Sequence, residues 1–259
     1  MANDGIYSAD RSLYGKLRRR ASKLVHRRPA RLPHLDRPLL TFSFDDAPQS
    51  AAVAGASIIE RHGWRATFFI SSGIMGQDSH LGHYTTADEI RALHARGHEI
   101  ACHTFTHIDC GQASARAIEV SLEHNQNRLV ELSLPRSETF AYPYGDVSPQ
   151  AKALLSQRYL AARALHHGLI VTGTDLNQTP AVGIEGRGGE AVALDWMRRA
   201  KAHPQSWLVL YTHDVREEPS PWGCTPQTLK TLAQAAEKSG FEVVTYGEGA
   251  RRATGLRSE

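Results

Sequence analysis

The sequence predicts one parallel α/β barrel. Short apolar runs alternate with segments of helical period from Pro38 onward. The runs are continuous rather than alternating, as in strands buried on both faces, and the joining loops are short. At 259 residues the chain can bury one large core, and closure of the sheet into a barrel is natural at that size. A composition of 41% hydrophobic and 22% charged residues excludes a disordered, collagenous or disulfide-scaffold protein. Three cysteines, Cys102, Cys110 and Cys224, leave one unpaired and show no CxxC spacing.

Residues 1–37 form a basic tail. Ten Lys and Arg face three Asp there, a net of +7, so the rest of the chain carries −4 of the overall +3. Leu13, Leu17, Ala21, Leu24 and Val25 recur at helical spacing among Arg18, Arg19, Arg20 and Lys23, giving a basic amphipathic helix within residues 8–31. A solvated helix or leader is the favoured reading, and peripheral contact with an anionic membrane is the second. Nucleic acid is not expected, because no recognition motif or interleaved aromatic accompanies the charge. No run is long and apolar enough to span a membrane, and the N-terminus lacks the apolar core of a signal peptide. The expectation is a cytoplasmic protein, with the inner membrane surface as the second reading.

The predicted domain covers residues 38–247, with a polar tail over 248–259. Its strands are 39–44, 66–70, 98–102, 138–142, 207–211 and 241–245. Its helices cover 56–63, 86–97, 115–132 and 148–162. Thr86 with Glu89 makes a capping box, Ser148-Pro149 opens a helix, and Gly63, Gly97 and Gly240 follow helix ends. The glycine-rich stretch 168–190 reads as one or two short strands with loops.

In a parallel barrel the loops after the strands build the functional face. Asp45 and Asp46 follow the first strand, and His103 and His107 follow the third. A histidine pair at i and i+4 would aim both rings at one ion from a helical turn, and adding Asp46 gives two nitrogens and a carboxylate. That is an open divalent-metal set that suits zinc, with cobalt or nickel as alternatives. Tyr144 and His213 follow two later strands, and this convergence exceeds what scattered rim residues would give.

SFDDAP, HTFTH, AYPYG and LVLYTH, in that order, resemble motifs of the polysaccharide deacetylases, the NodB-homology domain of carbohydrate esterase family four. The resemblance implies a distorted (β/α)7 barrel that removes acetyl groups from sugars with a divalent metal. By it, Asp46, His103 and His107 bind the metal, Asp45 is the general base, the Tyr144 amide helps hold the oxyanion and His213 is the general acid. Asp175 is the candidate for the acid that orients His213. Trp222 and Asp214 are candidate pocket residues, Trp222 for sugar stacking. The family's third motif usually opens with an Arg that pairs with the catalytic Asp. Here that position is Ala141, which should loosen the orientation of Asp45 unless another cation such as Arg163 or Arg65 fills in. Ala47 also stands where Gly is usual. The leading expectation is an N-acetyl hydrolase acting on an acetylated amino sugar, in a polysaccharide or glycolipid precursor. The alternatives are a metal-independent cyclic-amide hydrolase of imidase or allantoinase type, and a sugar-binding module with a degraded site.

Overall fold

The computed structural model describes residues 12–255; the beginning of the predicted 8–31 helix lies outside them. Ten strands are formed: β1 Leu39–Asp45, β2 Thr67–Ile70, β3 Asp78–Ser79, β4 Gly82–His83, β5 Glu99–Cys102, β6 Thr139–Ala141, β7 Ala161–Arg163, β8 Val182–Gly183, β9 Trp207–Thr212 and β10 Glu242–Val243. The helices are α1 Leu13–Ser22, α2 Ala56–Glu60, α3 Ala87–Ala95, α4 Ala115–Glu131, α5 Pro149–Ser156, α6 Gly189–Ala202, α7 Pro226–Ser239 and α8 Tyr246–Thr254. All pairing in the main sheet is parallel, in the order β7-β6-β5-β2-β1-β9-β8, with β10 against the base of β1. β3 and β4 form a separate hairpin.

The segment around β8 closes the ring. Val182 and Gly183 pair with Leu210 and Tyr211 of β9, while Thr179 bridges to Arg163 of β7 and accepts from the Ala164 amide. Seven parallel strands thus surround one interior, the distorted (β/α)7 barrel.

Strand periodicity decides what points where. Along β1, Leu40, Phe42 and Phe44 face outward and pack with residues of β2 and the helical layer, Phe44 stacking on Phe68 at 5.0 Å. The alternate residues Leu39, Thr41, Ser43 and Asp45 turn inward. The base of the interior is filled by Trp207, whose Nε1 donates to Thr41, and by Tyr246 of α8.

Local signals in the sequence are realised. Thr86 and Glu89 close the capping box of α3, Ser148 caps α5 with Pro149 in its first turn, and Gly240 ends α7 at φ 70°. Two expectations fail. The helix predicted to 162 stops at Ser156, and Ala161–Arg163 become β7, buried on both faces. The predicted polar tail is helical from 248 to 254, because Gly249, Ala250 and Ala253 leave room for α8 to pack under the barrel; a Cβ on Gly249 would lie 2.5 Å from the Trp207 ring. The three cysteines are unbridged and buried. Among the described residues no helix is long and apolar enough to cross a membrane.

The basic helix lies on the domain. Arg18 pairs with Asp146 at 2.9 Å, and the buried Lys152 donates to the carbonyl of Ser22. Arg28 continues the attachment through the carbonyls of Ser156, Tyr159 and Leu160.

Candidate active site

Three of the four chemical motifs turn on non-glycine residues in the left-handed region. These are Asp46 (φ 58°) and Ala47 (48°) after β1, Thr104 (64°) and His107 (55°) after β5, and Tyr144 (59°) after β6. Such a residue costs about 1–2 kcal/mol, and the surrounding structure must enforce it. Ala47 sits where a glycine would be unstrained.

The loop after β5 is not the helical turn expected of an i, i+4 pair. His103 and His107 are brought together by the left-handed turns. The loop is tied by the His103 amide to Ile70 O, by Ser71 Oγ to His103 O, and by the Ile108 amide to Thr104 Oγ1. Their Nε2 atoms lie 3.6 and 3.3 Å from Asp46 Oδ1, and one ligand atom from each residue falls within 4.8 Å of the others.

Proton accounting tests whether this trio fits a cation. His103 Nδ1 lies 2.8 Å from Ala141 O, and a carbonyl can only accept, so Nδ1 carries the hydrogen. Burial, reinforced by His107, lowers the His103 pKa to about 4, so at neutral pH its Nε2 is a bare lone pair. It faces a carboxylate oxygen that has no hydrogen-bond donor among the described residues. For Asp46 burial acts upward, but His107, His103, His213 and His80 outweigh it and hold the carboxyl below its usual value. Acceptors converging without a donor are what a divalent cation satisfies, and the Nδ1–H···O=C bond is the outer contact that orients a ligating imidazole.

Asp45 lies beside this trio on the inner face of β1. Arg163 Nη2 donates to both of its carboxylate oxygens, at 2.5 and 2.6 Å. The guanidinium is fully buried and lies over the rings of Phe69 and Tyr211, at 4.9 and 5.0 Å. Arg163 and Ala141 are register partners on β7 and β6. The cation absent at 141 is therefore supplied from the next strand at the same height. Arg65, the other candidate, is exposed before β2 at the opposite end of the barrel and donates to Trp64 O.

His213 follows β9, with Nδ1 3.1 Å from Trp222 O and 3.6 Å from Glu185 Oε1. Glu185, just past β8, also accepts from Tyr211 Oη at 3.4 Å, and burial raises its pKa. It occupies the position expected for Asp175, and sequence reasoning missed it. The available signal was an acid two residues past a short apolar run, in VGIEG. Asp175 is elsewhere: it caps the turn at Asn177, accepts from the Arg28 amide and pairs with Lys152. Asp214 is also a correction. It is fully buried and braces its own loop through Ser220 and Arg216, with no room even for a Cβ at Gly223. Trp222 stands at the rim, 36% exposed, its ring edge-to-face with His80 at 5.1 Å. Tyr144, 40% exposed, sets its ring against His107 at 4.4 Å.

A positioning role for Glu185 has a direct consequence. Glu185→Gln is expected to lower turnover about 10–100-fold with bound metal unchanged, and Glu185→Asp to recover part of it. Asp175→Asn, which leaves buried Lys152 without its carboxylate partner, is expected to cost stability instead, about 3 kcal/mol in urea unfolding. Equal turnover in wild type and Glu185→Gln would remove Glu185 from the site.

The family model described as polysaccharide deacetylase matches residues 34–162. Among solved structures, a polysaccharide deacetylase from Mycobacterium smegmatis described as putative shares 16% identity at a TM-score of 0.62, over 89% of this chain and 98% of its own. The chitin deacetylase of the fungal pathogen Colletotrichum lindemuthianum shares 17% at 0.59, over 83% and 88%. A family 4 acetyl xylan esterase from Clostridium thermocellum, solved in complex with cobalt, shares 18% at 0.57, over 85% and 93%. No curated protein matches the sequence. With its motifs gathered at one end of the same barrel, this chain belongs to the polysaccharide deacetylase family.

Proposed function

We propose that the chain is a metal-dependent hydrolase that removes an acetyl group, N-linked, from an amino sugar. The observation that carries the reading is the donorless convergence of Asp46, His103 and His107, with Asp45 and His213 at the same end of the barrel. Asp46, His103 and His107 would hold a divalent cation, zinc by their ligand chemistry, and it would supply Lewis-acid polarisation of the acetyl carbonyl and acidify the attacking water. Asp45, aligned by Arg163, takes the proton from that water as it adds to the carbonyl carbon. The Tyr144 backbone supports the developing oxyanion. His213, held by Trp222 O and Glu185, delivers a proton to the departing nitrogen as the C–N bond breaks, releasing acetate and the free amine. Trp222 and Tyr144 offer exposed rings to the sugar face.

Acetate release from N-acetylated chito-oligosaccharides and from amino-sugar phosphates is the test. Activity is expected to vanish on chelation, to return with zinc or cobalt, and to fall 10²–10⁴-fold in Asp45→Asn with the metal still bound. Activity that ignores chelators would favour the cyclic-amide hydrolase, and sugar binding without turnover in the metal-loaded protein would favour the binding module.

A further inference from the structure

The strands that build the site border a second feature. A cavity of about 360 Å3 lies between α1 and the loops around β7, lined by Arg19, Arg20, Lys23, His166, Gln178 and Gly145 among others. Its volume is that of a small-ligand pocket. Its charge is one-signed: two arginines and a lysine line it beside His166, and no carboxylate does. Among the described residues none of Arg19, Arg20 and Lys23 has a carboxylate within 4.0 Å, so this charge is not consumed by the fold. Arg19 Nη1 and Gln178 Oε1 are buried without hydrogen-bond partners among the described residues. Burial, with Lys23 beside it, lowers the His166 pKa, so a neutral ring offers one N–H here.

The cavity is lined by the loops that follow β6 and β7, at the catalytic end of the barrel. Gly145 is bonded to Tyr144, whose ring touches His107, a Cα step of about 3.8 Å. Ala164, also lining the cavity, follows Arg163, the partner of Asp45, and faces the outer side of the sheet. A group bound under α1 lies at the same end of the barrel as Asp46, on the outer side of β7, and clustered guanidinium and ammonium donors select a compact, multiply charged oxyanion.

We propose that this cavity binds a phosphoryl group of the substrate, so that the sugar deacetylated is a phosphate-linked amino sugar rather than a neutral polymer. The inference rests on the deacetylase reading for its substrate but not for its anion site. α1 then acts as the recognition element for the carrier phosphate, which explains a basic helix clamped onto the domain through Arg18–Asp146 and Lys152–Ser22.

Two measurements separate the parts. In titration calorimetry, inorganic phosphate and pyrophosphate are expected to bind the wild type and to lose at least tenfold in affinity in Arg19→Gln/Lys23→Gln. Arg20→Gln/Lys23→Gln, at two exposed positions, serves if the first variant does not fold. In kinetics, kcat/KM for N-acetylglucosamine 1-phosphate is expected to fall at least tenfold more in these variants than kcat/KM for neutral chitotriose. Greater wild-type activity on a polyprenyl-phosphate sugar in detergent micelles assigns the phosphate to a lipid carrier, and greater activity on the soluble ester to a soluble one. Phosphate binding without turnover of any acetylated sugar overturns the deacetylase reading and leaves the anion site standing. No phosphate binding, equal losses on both substrates, or adherence to anionic vesicles alone overturns the inference.

Discussion

Asp46→Asn and His103→Ala are each expected to lose the bound cation and at least about 10³-fold in acetate release. Lewis-acid assistance is worth several kcal/mol, and each 1.36 kcal/mol is tenfold in rate. The more diagnostic effect is on stability. In the metal-free wild type a carboxylate oxygen faces two imidazole nitrogens, at least one of them a lone pair, with no donor between them. Asn at 46 places an amide donor there, so metal-free Asp46→Asn is expected to melt no lower than metal-free wild type. Zinc reverses the order. At a concentration about 1,000 times its Kd it adds about 4 kcal/mol to the wild type, a rise in Tm of roughly 8–16 °C at this chain length. The variants gain little. Melting curves with and without zinc read both effects. A zinc-induced rise equal in wild type and Asp46→Asn would exclude Asp46 from the centre.

How much of this was legible in the sequence follows from the length scale of each signal. The strands β1, β2, β5, β6 and β9 announce themselves as apolar runs, and all of them but β2 carry chemical residues at or just past their ends. The caps of α3 and α5 depend on neighbours three residues apart. Strand β7 was hidden because Ala161-Ala162-Arg163 has neither β-branched residues nor an apolar end. The barrel interior there has room only for small side chains and one guanidinium laid between aromatic rings. Asp175 and Glu185 could not be ranked locally. Which acid reaches His213 depends on how 176–184 crosses from β7 to β9, a contact spanning nearly thirty residues. α8 reads as polar because a helix of Gly, Ala and Arg buries its small face without showing large apolar residues.

The relocated guanidinium gives the other large effect. Arg163→Met removes the cation from a buried carboxylate, a change that costs about 3–5 kcal/mol, and it releases Asp45 from the geometry needed to take a proton. Ala141→Arg alone adds a second guanidinium to a filled interior and is expected to destabilise as well, by overpacking and by like charge. The double variant Ala141→Arg/Arg163→Ala is a different case. β6 and β7 are neighbours, about 4.8 Å apart, and residues 141 and 163 pair directly and face the same interior. Around the closed ring an arginine at 141 starts three strands from β1, as residue 163 does from the other side, and the space vacated at 163 receives its volume. Stability and turnover in the double variant are expected to recover to within about tenfold of wild type in kcat, so that two damaging single changes compensate each other, as coupled sites in one network do. Urea unfolding and acetate release measured on wild type, Arg163→Ala, Ala141→Arg and the double variant form the cycle. If the double variant is no better than Arg163→Ala, the height of residue 163 in the barrel is not interchangeable with that of 141. Arg163 would then be a device particular to β7 rather than the same contact moved one strand along.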